Sequence, residues 1–267
     1  MANAASSLIA DLKPGDGYVQ SFARGLEVIR SFSANAPRQT LSEVAARSGL
    51  SRAGARRILL TLAALGYVRS EGKLFSLTPR ILDLGFAYLS SMPIWDLAEP
   101  VMQALVEQTQ ESCSAAVLDG TDIVYVLRVP TRKIMSISLG VGSRLPAYCT
   151  SLGRVLLSAL SEAELMKRLQ ASERTARTRY TVTDVQKLAA EMEQVRQQGW
   201  SLVDQELEEG LISVAAPIID RAGQTVAALN ISGQANRSSA KVMQDTMLSP
   251  LLAAAQSISR MLSVQRG

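Results

Sequence analysis

Along the first part of the chain, apolar residues recur at intervals of three and four, the period that lays one face of an α-helix against a core. Phe22, Leu26, Ile29 and Phe32 set this rhythm and predict a helix over residues 21–32. Residues 33–38, with Asn35 and Pro37, read as a loop. Thr40-Leu41-Ser42-Glu43 then spells a capping box, in which the threonine oxygen accepts the third helical amide and the glutamate reaches back. The helix it opens runs to about Ser48, turns Leu41, Val44 and Ala45 inward, and stops at Gly49, a residue that readily takes the left-handed conformation of a sharp helix end. Ser51 caps a third helix from Arg52 to about Leu65, whose buried stripe is Ala55, Ile58, Leu59, Leu62 and Leu65, and Gly66 ends it. Residues 67–77 hold two short strands around a Glu71-Gly72 turn. Pro79 opens a helix over 79–90 with Leu82, Gly85, Phe86 and Leu89 on one side. After a break at 91–94 another helix covers 95–111.

From residue 112 the pattern changes. Segments 112–118, 122–129, 134–139 and 145–148 read as strands separated by Gly, Asp or Pro. Helices follow over 151–160, 161–169 and 184–198, then strands over 200–204, 212–219 and 225–232, and a long helix over 238–264. Helices at both ends of an antiparallel sheet argue an α+β domain. The chain therefore divides into a flexible leader (1–17), a small helical domain with a hairpin (18–78), a linker helix (79–94) and a larger domain (95–267).

Helix, capped helix, tight glycine turn, capped helix and hairpin, in that order, is winged helix-turn-helix architecture, which places the start of its third helix in the major groove of DNA. Charge agrees with this. Residues 1–78 hold ten Lys/Arg against five Asp/Glu, whereas 79–267 hold eighteen against nineteen, so the excess positive charge sits in the small domain, where a polyanion partner belongs. Ser51, Arg52, Ala53, Arg56 and Arg57 are the candidate groove residues, with Thr40 at the start of the preceding helix. An arginine bidentate to guanine gives about 1–3 kcal/mol of discrimination. Arg69 and Lys73 on the hairpin are candidate backbone or minor-groove contacts. The competing reading, a winged helix used only for protein contacts, leaves three arginines at one helix start without a purpose.

Other chemistry is thinly provided. The chain has no histidine, which removes the commonest general base, Ser-His triads and most transition-metal sites, and neither a cofactor nor a metal is expected. Ser151 lies near a helix start but no G-x-S-x-G surrounds it, and Gly140-Val141-Gly142 lacks the rest of a phosphate loop, so an enzyme is the weaker reading. Cys113 and Cys149 form no C-x-x-C pair and fit a reducing cytoplasm. No apolar run reaches the ~18 residues of a membrane span, and residues 1–17 lack the pattern of a secretory signal.

Six stretches together resemble the IclR family of transcriptional regulators: residues 21–32, Leu41-Ser-Glu-Val-Ala-Ala-Arg-Ser-Gly-Leu50, Leu62-Ala-Ala-Leu-Gly-Tyr-Val68, residues 144–157, Asp204-Gln-Glu-Leu-Glu-Glu-Gly-Leu211 and Ala228-Leu-Asn-Ile-Ser-Gly233. Residues 125–139 and 144–158 look most like the subgroup that controls aromatic-acid breakdown through the β-ketoadipate pathway. The resemblance implies a homodimer or homotetramer on a palindromic double-stranded operator. It also implies a GAF-like C-terminal effector and oligomerisation domain that binds a small carboxylate, an aromatic acid or β-ketoadipate. The helix start at Ser151, Leu152 and Gly153 offers amides to such an anion, with charge from Arg144 or Arg154. By family analogy the pocket floor comes from Asp204, Ser213, Asn230 and Ser232, and Met135, Ile137 and Tyr148 supply its apolar wall. Ser213 stands where the family often has cysteine or a small polar residue, and Asn230 where it has serine. Two alternatives stay open: residues 204–209 as a solvated acidic turn, and Cys149 as a buried inert thiol. The direction of control, activation or repression, is not written in the sequence.

Overall fold

The computed structural model describes residues 17–91, 94–131, 139–237 and 239–264. The expected leader and the strand expected over 134–139, apart from the last residue of each, lie outside these. The chain forms two compact units, residues 1–90 and 91–267.

In the first unit, helices α1 (Gln20–Arg30), α2 (Leu41–Arg47) and α3 (Arg52–Ala64) surround a core of Val28, Val44, Ala45, Ala55, Leu59, Leu62 and Val68. The Thr40 capping box is present in both directions. Glu43 N donates to Thr40 Oγ1 at 3.4 Å and Thr40 N donates to Glu43 Oε2 at 2.7 Å. Gly49, at φ +67°, turns the chain, and Ser51 then caps α3 by accepting from Gly54 N at 3.1 Å. Leu65 does not belong to the buried stripe. It follows the last residue of α3 and is 53% exposed, because Gly66 turns the chain there and Tyr67 N returns to Leu62 O. Strands β2 (Val68–Glu71) and β3 (Leu74–Leu77) form the hairpin. A two-residue strand that the pattern did not signal, β1 (Gln39–Thr40), joins them in the order β1-β3-β2. The linker segment is a 3-10 turn (Pro79–Ile81) followed by α4 (Leu82–Ser90). On its apolar side Leu82 is 70% and Phe86 69% exposed.

The second unit is built on a six-stranded antiparallel sheet in the order β6-β5-β4-β9-β8-β7. Its strands are β4 (Ser112–Asp119), β5 (Asp122–Val129), β6 (Arg144–Pro146), β7 (Ser201–Asp204), β8 (Leu211–Ile219) and β9 (Thr225–Gln234). Helices α5 (Ile94–Thr109) and α9 (Ala240–Val264) pack on each other and on the sheet. Helices α6 (Ser151–Ser158), α7 (Glu162–Ala171) and α8 (Val185–Gln198) share one core with Ala116, Tyr125, Ala215 and Ala228 of the sheet. β6 stops earlier than the alternation predicts because residues 147–150 turn to cap α6: Thr150 Oγ1 accepts from Gly153 N at 3.2 Å. This is the expected α+β arrangement.

Candidate functional site

The start of α3 is bare. Ser51, Arg52, Ala53, Arg56 and Arg57 are exposed, while Ala55 and Leu59 of the same helix are fully buried and hold it in place. None of the three guanidiniums has an ion-pair or hydrogen-bond partner among the described residues, so their donors face solvent. Lys73 is likewise exposed at the hairpin tip, beside Gly72 at φ +63°. Arg69 is engaged: its Nε donates to Ser76 Oγ at 3.0 Å and lies 3.5 Å from Glu71, which also pairs with Arg38. Thr40 is engaged too, because its hydroxyl donates to Glu43 Oε2 at 2.8 Å. The amide and hydroxyl of Thr40 together hold the Glu43 carboxyl below its ordinary range.

In the second unit a cavity opens between the sheet and the start of α6. Its sheet floor carries Tyr125 and Arg128 of β5, Ser213 of β8, and Asn230 and Ser232 of β9. Register explains why these share a face. Ser114 pairs with both Arg128 and Asn230, and Ser232 with Ser213, so their side chains stand side by side across four strands. The second wall is the turn into α6, from Cys149 to Leu152. Leu139, Val203, Leu207 and Leu211 supply apolar surface. Arg128 Nη1 donates to Ser114 Oγ at 2.9 Å, and Asn230 Oδ1 accepts from Ser114 N at 3.1 Å, while the Asn230 amide nitrogen has no partner among the described residues. Ser151 and Ser213 share a hydrogen bond of 2.8 Å across the cavity, and Ser232 Oγ has no partner among the described residues. Among the described lining residues there is a guanidinium, hydroxyls and an amide, and no carboxylate.

The structure brings Ser151, Leu152, Ser213, Asn230 and Ser232 together around the cavity, whereas Arg144, Tyr148, Gly153 and Asp204 do not line it. Arg144 is on the outer strand β6, held by Asp119 at 2.6 Å and Asp122 at 3.3 Å, which raise its pKa. Tyr148 is a core residue whose hydroxyl donates to Thr175 O at 2.6 Å, and burial pushes its pKa up to about 12. The Gly153 amide is consumed by the Thr150 cap. Arg154 is buried and paired, with Glu206 Oε2 and Glu191 Oε2 each 2.8 Å away. Asp204 does not line the cavity, although its Oδ1 is buried and has no hydrogen-bond partner among the described residues. Met135 and Ile137 lie outside the described residues. Sequence reasoning passed over Arg128, Tyr125, Thr150, Leu207 and Leu211. Cys149 is fully buried, and desolvation first of all raises its thiol pKa to about 11.

A family model described as the IclR helix-turn-helix domain matches residues 21–72, and another, the bacterial transcriptional regulator IclR C-terminal domain, matches residues 86–260. The chain belongs to the IclR family. As an IclR-type DNA-binding regulator it is 43% identical to the Pca regulon regulatory protein of Pseudomonas putida over 92% of its own length and 84% of that protein's. Among solved structures, a putative transcriptional regulator from Rhodococcus sp. RHA1 superposes with a TM-score of 0.82 at 47% identity, covering 92% of this chain and 98% of that one. A double mutant of the inducer-binding domain of the PobR transcription factor from Acinetobacter, in complex with 3-hydroxybenzoic acid, is 31% identical. It covers 62% of this chain and 98% of its own, with a TM-score of 0.59.

Proposed function

We propose that this IclR regulator binds a small aromatic monocarboxylic acid of the hydroxybenzoate class in the C-terminal cavity, and that its α3 arginines read a palindromic operator. The observation that carries the reading is the composition of the cavity: Arg128, the Asn230 amide and the Ser232 hydroxyl face leucine and valine walls, and no carboxylate is among the described lining residues. Such a lining suits an anion at one end of a flat apolar body. Arg128 is the one cation among the described lining residues, which favours a monocarboxylate over β-ketoadipate with its two charges. The 3-hydroxybenzoic acid held by the related PobR domain supports the same class.

The reading is binding rather than catalysis, because the chain has no histidine and its cavity thiol stays protonated at neutral pH. The exposed apolar residues Leu82 and Phe86 of α4 support assembly into a homodimer or tetramer, which would set two α3 helices on two half-sites. Two unpaired thiols support a reducing cytoplasm.

A thermal-shift series tests the cavity. 4-Hydroxybenzoate, protocatechuate, β-ketoadipate and uncharged 4-hydroxybenzamide are added to the wild type and to Arg128→Gln. A ligand at a hundred times its Kd adds about 2.7 kcal/mol of stability. The expected result is stabilisation by the aromatic acids, little by the amide, and its loss in Arg128→Gln. An equal shift with the amide, or a shift retained in Arg128→Gln, would overturn the assignment.

A further inference from the structure

The cavity is too small for the ligand proposed for it. Its volume is about 30 Å³. That is room for a water or two, whereas a site of about 150 Å³ is what accepts a benzene ring. A wall must therefore move. The α6 wall is fixed, since every residue of α6 is buried and Gly153 sits directly on the Ala147 backbone. The floor is made of paired sheet strands. Besides Leu139, the remaining wall among the described residues is the connection from β7 to β8, residues 205–211, which places Leu207 over the cavity.

This connection has the build of a hinged flap. Both ends are in the left-handed region, Gln205 at φ +61° and Gly210 at φ +84°, and Gln205 N closes its base on Leu211 O at 2.8 Å. Its outer side is tied to the segment before α8: Thr178 Oγ1 donates to Gln205 O at 2.7 Å, Thr181 Oγ1 to Glu206 O at 2.6 Å, and Val182 N to Glu206 Oε2 at 3.0 Å. Its inner tie is ionic. Arg154 Nη2 donates to Glu206 Oε2 at 2.8 Å, with the two residues 5% and 7% exposed. The same guanidinium donates through Nε to Tyr148 O at 3.1 Å, in the turn that leads into the opposite wall. Arg154 thus bridges the flap and the α6 turn on either side of the cavity. Glu191 Oε2 lies 2.8 Å from Nη1 but makes no hydrogen bond there, so it remains as a reserve charge when Glu206 departs.

Resting on the cavity reading above, we infer that residues 205–211 are the lid of the effector site and that the buried Arg154–Glu206 pair is the latch that sets how fast ligand enters and leaves. The latch is made in the closed lid whether or not ligand is inside. Weakening it therefore speeds entry and exit together and leaves affinity nearly unchanged. A pair that merely stabilised the domain would change exit or folding and leave entry alone.

The test uses the full chain as Glu206→Gln, which keeps the shape and an acceptor for Val182 N but removes the charge. A second variant, Thr181→Val, loosens the lid while leaving Arg154 paired. Hydrogen exchange is read first, without ligand. The expected result is faster exchange at residues 206–211, on the order of tenfold in Glu206→Gln and less in Thr181→Val, with β9 unchanged. Stopped-flow binding of 4-hydroxybenzoate is read second, with association and dissociation rates rising by the same factor. Exchange unchanged at 206–211, or raised equally across β8 and β9, overturns the lid; an unchanged association rate overturns the latch. If 4-hydroxybenzoate fails to bind the wild type, the ligand assignment falls, while the exchange data still decide on the lid and the Arg154–Glu206 tie.

Discussion

Gly153 lies in the first turn of α6, where helix propensity and packing give opposite answers to one substitution. By propensity alone, Gly→Ala inside a helix gains about 1 kcal/mol. Packing forbids it here: a Cβ on Gly153 would lie 2.1 Å from Ala147 O, 2.4 Å from its Cα and 2.6 Å from its carbonyl carbon. All three are backbone atoms, so no rotamer change relieves the clash. Either α6 or the 147–150 turn must shift by an ångström or more, against a helix that is buried throughout. Overpacking of this kind costs about 1–3 kcal/mol and occasionally more. With the propensity gain set against a clash of this severity, Gly153→Ala is expected to destabilise the second unit by about 2 kcal/mol. For a unit of this size that lowers Tm by roughly 4–8 °C. Gly85 in α4, where an added Cβ meets nothing within 4 Å, is the control, and Gly85→Ala should leave Tm unchanged or raise it slightly. Calorimetry of the full chain reads both. If Gly153→Ala unfolds at or above the wild-type temperature, the close approach of α6 to residue 147 is not what requires glycine there.

Two further outcomes follow from the two units separately. Arg56→Ala should lose operator binding while keeping its effector-induced thermal shift, and the dependence of log K on log salt should shallow by about one if the residue contacts a phosphate; unchanged operator affinity in a mobility-shift titration would remove Arg56 from the groove. Burial raises the Cys113 thiol and lifts Cys149 from an ordinary 9.0 to about 11. The fold therefore favours the neutral thiol, the unfolded chain ionises first, and stability is lost as pH rises from about 9 to 11, by up to about 1.4 kcal/mol per pH unit per thiol. Urea titrations of wild type and Cys149→Ser across that range should diverge, and parallel curves would show that Cys149 is not held neutral.

Much of the first unit was legible because its signals are local. The Thr40–Glu43 box, the Gly49 and Gly66 stops and the Ser51 cap each depend on residues within a few positions, and each folds as the spacing predicts. Leu65 was misread because the helical period extends one step beyond the point where Gly66 turns the chain. β1 gave no signal, since two residues carry no alternation and its existence depends on pairing Gln39 with Phe75 far along the chain.

The cavity residues were harder to read because they are selected by register between strands, which a single strand does not encode. Asn230 and Ser232 stand out as polar alternates in an apolar strand, and family likeness pointed to them. Arg128 was hidden by parity. Tyr125 and Arg128 are three apart, so an ideal strand turns them to opposite faces. The ladder slips between Ala115 and Ala116: Ala115 pairs with Leu127 but Ala116 with Tyr125, and Val126 is the extra residue of a β-bulge. That single inserted residue brings both side chains to the same cavity. Arg144 and Arg154, chosen by nearness to the α6 start, are instead neutralised by partners far away in sequence, Asp119 and Asp122 for the first and Glu206 for the second. Which arginine lines the cavity depends on which one the strand turns toward it, and a bulge in β5 turns Arg128 there.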